Sequence, residues 1–357
     1  MPRQILLILH GFMLVSFCAC GAQQKKSSAS ARELVLGLPV QEIDSQIWAM
    51  HHSTDGDYWF GSNGRGLFRY DGANMVRYTD SEDLASNTIR SIQEDSLGRI
   101  FIGTPAGVSM YAEGSFTTVP VERSLNAMWQ SAPGDLWFSC NASANDVYRY
   151  DGERLYQLRL PRQDLQQYME HQYGAGLTAM DRNPYAVCGI DRDTDGNMWF
   201  GTFTAGAYRY DGKSFLWFGE RELSTLPDGR VPGVRSMVQD ADGNYWLSNL
   251  ISRYKVLTDS SYEKLPGVEL ANHDTDIELP FFMSGVVDAD ATLWMVSYGA
   301  GVWKYDGKAF TQQYIEEAGV EVLIISIYKD RSDNLWLCTD NAGVWVQKDG
   351  VFVKFEF

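Results

Sequence analysis

The stretch DRDTDG, Asp191 to Gly196, sets Asp191, Asp193 and Asp195 at alternate positions ahead of a glycine, the spacing with which a calcium loop begins. An EF-hand closes such a loop with a bidentate glutamate at its twelfth position, and here that position is Thr202. Ca²⁺ is therefore a candidate on these three carboxylates alone, and no other cofactor is indicated. His51 and His52 are a second set of metal-ligating groups, but neighbours in a strand point to opposite faces, so one ion cannot take both unaided. Arg90, Arg235 and Trp48 offer guanidinium planes and an indole face, which suit a carbohydrate or a carboxylate-bearing ligand. No phosphate loop, nucleophile elbow or metalloprotease helix occurs in the chain.

The elements that must position these groups belong to a repeat. WFGSNGRGLFRYDG (Trp59 to Gly72), WFGTFTAGAYRYDG (Trp199 to Gly212), WMVSYGAGVWKYDG (Trp294 to Gly307) and WLCTDNAGVWVQKDG (Trp336 to Gly350) are variants of one unit. A structural unit that stacks on copies of itself recurs by necessity, whereas a catalytic motif is rarely needed so often. The head aromatics Trp59, Phe101, Trp137, Trp199, Trp246, Trp294 and Trp336 lie 42, 36, 62, 47, 48 and 42 residues apart. Seven copies, mostly spaced near 40 residues and each reading as four short strands, predict an all-β chain folded as a seven-bladed β-propeller of four-stranded antiparallel blades. In the second copy the strands are expected over Thr88–Asp95, Ile100–Thr104, Gly107–Tyr111 and Ser115–Val119.

Three columns of the repeat carry distinct physical demands. Ten residues before each head aromatic stand Ala49, Ser91, Ala127, Gly189, Ser236, Ser284 and Ser326, all small, as crowding of the innermost strands near the axis requires. Six residues before it stand Ser53, Asp95, Ser131, Asp193, Asp240, Asp288 and Asp330, side chains that bond the backbone of a tight turn. Asp193 is thus a turn residue of the repeat, and only Asp191 and Asp195 are unusual in DRDTDG. The heads are expected in the core, each worth about 1.5–3 kcal/mol of burial. The tyrosines Tyr70, Tyr111, Tyr150, Tyr210 and Tyr305 are read as packing residues, with the following glycines turning the chain.

Ligand-binding candidates lie where the copies disagree. One position before the small column stand Trp48, Arg90, Asn126, Cys188, Arg235, Met283 and Ile325, a mixture of polar, charged and aromatic groups such as a binding mouth needs. The turns between second and third strands open on the same face and add Asn63, Arg65, Asn141, Phe203, Tyr298, Asp340 and Asn341. Excess length falls in three last-to-first connections on that face, Pro161–Tyr185, Gly219–Gly233 and Thr258–Phe281, whose Tyr168, His171, Tyr173, Arg182, Arg221, His273 and Asp274 are placed to cover it. Inter-blade packing is the competing explanation for the same column.

The ends and the charge bound the setting. A basic Arg3 and an apolar run from Ile5 to Phe17, too short to span a bilayer, read as an export signal. Ala19 before Cys20 resembles the cleavage and lipidation site of a bacterial lipoprotein, with Phe17 an imperfect lipobox residue and Cys18 the weaker alternative. The expected organisation is a signal over 1–19, a lipidated Cys20 with a flexible tether to residue 32, and the propeller over 33–357. Cleavage removes Arg3 and takes the formal charge from −16 to −17. That acidity argues against a nucleic-acid partner and against an anionic membrane face, leaving the lipid as the membrane contact. Cys140, Cys188 and Cys338 have no spacing of a disulfide framework or zinc site and are read as small buried residues.

IRSIQEDSLGRIFIGT, DTDGNMWFGT and GVWKYDG resemble the two-component regulator propeller repeat, over about residues 40–357. The resemblance implies an extracytoplasmic propeller of the kind found in sensor regions of hybrid histidine kinases, and it brings no catalytic motif. The reading is then a non-enzymatic, lipid-anchored protein of the cell envelope, at the outer membrane facing the periplasm. It binds a small molecule, glycan fragment or peptide on the looped face, as sensor or accessory to signalling or uptake. The alternatives are a scaffold for an envelope protein partner and a propeller lyase or hydrolase, for which His51, His52, His171 and His273 are the histidines available after cleavage.

Overall fold

The computed structural model describes residues 37–123, 129–139, 146–165, 183–223, 231–267 and 281–357. Cys20 with its signal and tether, Asn126, Asn141, Cys140 and the middles of the three long connections lie outside the described residues. Alternation of apolar and polar residues between Gly, Asp and Asn turns produces seven sheets arranged as blades. Blade 1 runs outward through Ile47–His52, Tyr58–Ser62, Leu67–Tyr70 and Met75–Tyr78, and blade 2 through Ser91–Glu94, Ile100–Thr104, Gly107–Ala112 and Ser115–Thr118. Blade 4 comprises Val187–Arg192, Met198–Thr202, Ala207–Tyr210 and Phe215–Phe218, and blade 5 comprises Met237–Gln239, Tyr245–Leu247, Ser252–Thr258 and Ser261–Pro266. Blade 6 is built of Ser284–Val287, Leu293–Ser297, Gly301–Tyr305 and Phe310–Gln313, and blade 7 of Ile324–Lys329, Leu335–Thr339, Val344–Lys348 and Val351–Lys354. Among the described residues the only helical turns are 3₁₀, at Asp80–Glu82 and Arg221–Leu223.

Two edges depart from the simple repeat. In blade 3, Leu136–Phe138, Asp146–Tyr150 and Leu155–Arg159 are antiparallel, and Val121–Glu122 joins the outer edge in parallel. On the axial side of Leu136–Phe138 a side chain from blade 2 bonds the backbone. Gln93 Nε2 donates to Trp137 O at 2.6 Å, and Gln93 Oε1 accepts the Trp137 N–H at 3.3 Å. The second edge is at the start of the described chain. Leu38–Val40 pairs antiparallel with Met75–Tyr78, Leu38 opposite Arg77, so the added strand lies on blade 1.

Among the described residues seven core clusters lie one at each blade interface, each containing head aromatics or their neighbours, and a small eighth joins Leu165, Tyr185 and Ala205. All seven heads are buried, from Phe101 at 0 % to Trp294 at 8 % exposure. Crowding near the axis is as tight as the small column predicts. A Cβ on Gly189 would lie 2.2 Å from Arg235 O, and one on Gly201 would lie 2.0 Å from Val234 O.

The aspartate column does two jobs, of which the sequence announces one. One oxygen accepts backbone N–H groups across the turn, as Asp240 does from Asp242 and Asn244. The second oxygen accepts the head indole: Trp199 Nε1 to Asp193 at 3.0 Å, Trp246 to Asp240 at 3.0 Å, Trp294 to Asp288 at 2.7 Å and Trp336 to Asp330 at 2.8 Å. Where serine takes the column, at Ser53 and Ser131, the buried Nε1 atoms of Trp59 and Trp137 have no hydrogen-bond partner. The arginine of RYDG completes the device. Arg209 lies 3.6 Å from Asp193, and Arg69 and Arg149 pair with Asp57 and Asp135, which stand two residues before Trp59 and Trp137. Gly212 follows at φ +91°, and Asp211 accepts the N–H groups of Lys213 and Ser214 across that outer turn.

Candidate functional site

The variable column owes its projection to the backbone. Pairing of the first and second strands slips between Ile47 and Ala49, between Val187 and Gly189, and between Ile324 and Ser326. Trp48, Cys188 and Ile325 are therefore bulge residues, and a bulge re-aims its side chain out of the pleat. Antiparallel register puts this end of each inner strand beside the turn between second and third strands, so Ile47 faces Ser62. Trp48 meets the corresponding turn of blade 7, where its Nε1 donates to Asp340 Oδ1 at 2.8 Å. Gln46 Nε2 donates to the same oxygen at 3.2 Å, and exposed Tyr298 of blade 6 donates its hydroxyl to Asp340 Oδ2 at 3.2 Å. The Arg90 guanidinium lies over the indole ring, 4.7 Å from its centroid.

Arg235 stands in the same column, just before the first strand of blade 5. Its Nε is held on Pro232 O at 2.8 Å and its backbone N–H on Ser248 Oγ at 2.8 Å. Burial, and then the positive charge of Arg235, hold Arg90 below the ordinary arginine value. The structure thus brings together Trp48, Arg90, Tyr298 and Asp340, with Arg235 within electrostatic reach. Gln46 is a member that the columns did not single out; its signal was its place two residues before the bulged tryptophan.

Other candidates serve the scaffold. Asn341 accepts the Leu323 N–H and donates to Glu321 O, both at 2.9 Å, fixing the connection that carries the hairpin of Glu316–Glu317 and Val320–Glu321. Asn63 bridges Thr88, and Arg65 is 68 % exposed with Nη1 4.0 Å from Asp44. Phe203 is half-buried, its backbone N–H bonded to Ala186 O. Cys338 is buried, which pushes its thiol up to about 12, whereas Cys188 is only half-buried, a correction that follows from its bulge.

DRDTDG does not bring its three carboxylates together, because the strand ends at Arg192 and the chain turns at Asp193. Asp193 faces the blade 4–5 interface, where Trp199 and Tyr245 donate to its Oδ2, while Asp191 accepts the Met237 N–H at 2.8 Å and Asp195 is exposed. Among the described residues no cluster of three metal-ligating side chains occurs. His51 and His52 also part company, at the end of the strand away from the mouth. His51 Nε2 meets Glu94 Oε2 at 3.1 Å, and the His52 ring stacks on Tyr58 at 4.1 Å. Glu94 also accepts the Thr54 N–H, the same turn-capping job that Gln239 performs for Thr194 in blade 4, so the histidine contact belongs to the scaffold. Burial lowers the pKa of His51 against the opposing pull of Glu94.

Among the described residues no cation stands beside Asp191, and burial pushes its carboxyl up to about 7, opposed by the Met237 N–H bond. A raised folded-state pKa means that the stability is present below the ordinary carboxylate range and is lost as pH rises through 7. Asp191→Asn keeps an acceptor for Met237 and removes the charge. The variant is expected to match the wild type near pH 3, below the unfolded-state value, and to exceed it by about 2–4 kcal/mol at pH 8 in denaturant melts. Equal stability at both pH values would sink the assignment.

The family model described as two component regulator propeller matches residues 83–106, which span the first-to-second strand turn of blade 2. That segment is similar to a two-component regulator propeller repeat. Histidine kinase P4 of Formosa agariphila is 25 % identical over 188 residues, which are 45 % of this chain and 13 % of that kinase. A crystal structure described as the extracellular domain of a hybrid two component system from B. thetaiotaomicron superposes at a TM-score of 0.54 with 18 % identity, covering 86 % of this chain and 39 % of that one. A catalytically inactive virginiamycin B lyase from Staphylococcus aureus, solved with quinupristin, superposes at 0.57 with 13 % identity, covering 86 % and 96 %. At these identities the superpositions establish the propeller fold. The chain spans well under half the length of the kinase and of the two-component extracellular domain that it matches.

Proposed function

We propose that this chain is a non-enzymatic binding protein of the bacterial cell envelope, exported and lipid-anchored through Cys20, with a small molecule, glycan fragment or peptide bound at the mouth of the propeller axis. The observation that carries the reading is the bulged Trp48, pinned by Asp340 and stacked with Arg90. An indole fixed at its nitrogen by a carboxylate, with a guanidinium over its ring, is a preorganised platform, and little side-chain entropy is left to lose on binding. The propeller repeat and the extracellular and kinase relatives support a sensor or accessory role outside the cytoplasm. Against an enzyme at this mouth, His51 and His52 stand at the other end of the inner strand, committed to Glu94 and Tyr58.

A thermal-shift screen of the chain against saccharides, amino acids, short peptides and divalent ions is expected to yield stabilisation by at least one organic class. Tyr298→Ala, which removes an exposed side chain from the platform, should weaken that response at least threefold with the unliganded melting temperature nearly unchanged. No stabilisation by any class, together with a protein recovered by crosslinking, would replace the reading with the scaffold.

A further inference from the structure

Tyr298 and Tyr314 are the two most exposed aromatic side chains of the described chain, at 49 % and 51 %. Shared partners hold them on one rim, over blades 6 and 7. Gln312 Nε2 donates to the Tyr314 hydroxyl and to Ala300 O, both at 2.9 Å, and Ala300 stands in the turn that carries Tyr298. The Tyr298 hydroxyl donates to Asp340 Oδ2, and the next residue, Asn341, bonds Glu321 O and the Leu323 N–H. The hairpin of Glu316–Glu317 and Val320–Glu321 closes the ring of contacts, since the Val322 N–H bonds Ile315 O beside Tyr314. Both phenols are thus fixed at their hydroxyls, and among the described residues neither ring stacks on another aromatic or on a cation.

The same rim has carboxylates to spare. Glu317 is paired with Lys354, whereas Glu316, Glu321 and Asp340 take part in no ion pair among the described residues. One oxygen of Glu321, shielded from solvent, has no hydrogen-bond partner. Exposed Val320 adds an apolar edge to the hairpin. Free aromatic faces beside unpaired carboxylates supply the two halves of a guanidinium site, a flat surface for stacking and acceptors for the N–H fork. A chain with a formal charge of −16 also draws a cationic partner from a distance.

We propose that the rim of Tyr298, Tyr314 and the 316–321 hairpin docks a short, arginine-bearing segment of a partner protein. A guanidinium stacks on a tyrosine face, Glu316 accepts its N–H groups, and Val320 covers the aliphatic stem. Little side-chain entropy is lost on the side of the rim, because the hydroxyl bonds already hold the rings. The surface shares Tyr298 and Asp340 with the mouth, but Tyr314 and Glu316 belong to the rim alone, so the two readings fail separately.

Fluorescence anisotropy of a labelled, end-blocked Gly-Arg-Gly-Arg-Gly peptide titrated with the full chain tests the proposal. Saturable binding is expected, roughly tenfold tighter than for the peptide with serine in place of arginine and roughly threefold tighter than for the lysine peptide. Tyr314→Ala and Glu316→Gln should each weaken it roughly threefold or more. Asp290→Asn, which neutralises an exposed carboxylate at the opposite end of blade 6, should leave it unchanged. The lysine peptide or spermidine bound as tightly as the arginine peptide, or an equal loss from Asp290→Asn, assigns the attraction to overall acidity and overturns the proposal. No saturable binding of the arginine peptide overturns it, as does binding that survives Tyr314→Ala and Glu316→Gln together. Unliganded melting temperatures of the variants close to the wild type show that the losses are not misfolding.

Discussion

Asp330→Ala is expected to destabilise the chain by about 3–5 kcal/mol, a large share of the 5–15 kcal/mol that holds a domain together. The carboxylate is 4 % exposed and accepts five kinds of donor: the N–H groups of Ser332 and Asn334, the Asn334 amide, the Trp336 indole at 2.8 Å and the Tyr58 hydroxyl at 3.1 Å. Alanine leaves the buried members of that set without an acceptor, and each such donor costs about 1–3 kcal/mol. Burial pushes the Asp330 pKa up, but the bonds from Asn334 and Trp336 outweigh it and hold the group below the usual carboxylate range. The stabilisation is therefore present above about pH 4 and is lost as pH falls through the folded-state value. Urea melts of wild type and Asp330→Asn should differ most near neutrality and converge toward pH 3. A constant gap across that range would assign the loss to packing rather than to the charge.

The repeat made the fold legible because its seven copies could be compared with one another. The small column was readable since only steric crowding explains Ala49, Ser91, Gly189, Ser236, Ser284 and Ser326 at one position, and Gly189 and Gly201 bear it out. The aspartates were readable as turn residues, but their bond to the indole was not, because a turn accounts for Asp without any further partner. In hindsight the sequence held a signal: Asp stands in the column with Trp199, Trp246, Trp294 and Trp336, whereas Trp59 and Trp137 have serine there. DRDTDG misled for the opposite reason, since a spacing of two in a strand sends Asp191 and Asp193 to one side only if the strand continues straight, and the turn at Asp193 ends it.

The mouth was half legible. Variation within a column pointed to Trp48, Arg90 and Arg235, and the turns gave Tyr298 and Asp340. The bulges that aim Trp48, Cys188 and Ile325 could not be read, because an extra residue in one strand shows only against the register of its partner. Asn341 and Asn63 stand in the right turns, yet they bond the connections that bring the chain to the face. A polar residue in a loop serves its own backbone as readily as a ligand, and sequence position does not separate the two.

Removing Val351–Phe357 is expected to cost at least about 4 kcal/mol and to abolish a single cooperative unfolding transition. Blades 1 and 7 are each built from one continuous stretch, so no strand of one end completes a sheet at the other. The seam must be held by side chains, and the C-terminal residues supply many of them. Phe355 meets Trp336 at 5.2 Å, Tyr70 at 5.5 Å and Phe60 at 5.9 Å, and thus bridges blades 7 and 1. Phe352 is buried against Trp294 on the other side of blade 7, where burial of one phenyl ring is worth about 2–3 kcal/mol. The deletion removes both contacts and bares the edge of Val344–Lys348, whose pairing partner is lost. Limited proteolysis should then cut first in blades 7 and 1, on either side of the seam. Phe355→Ala, at a half-exposed position, should cost only about 1–2 kcal/mol and leave the blade 6–7 interface intact. If the truncated chain melts as sharply as the full one, closure does not depend on its C-terminal strand, and the burden falls on the bonds that Asp330 and Asp340 make across the seam.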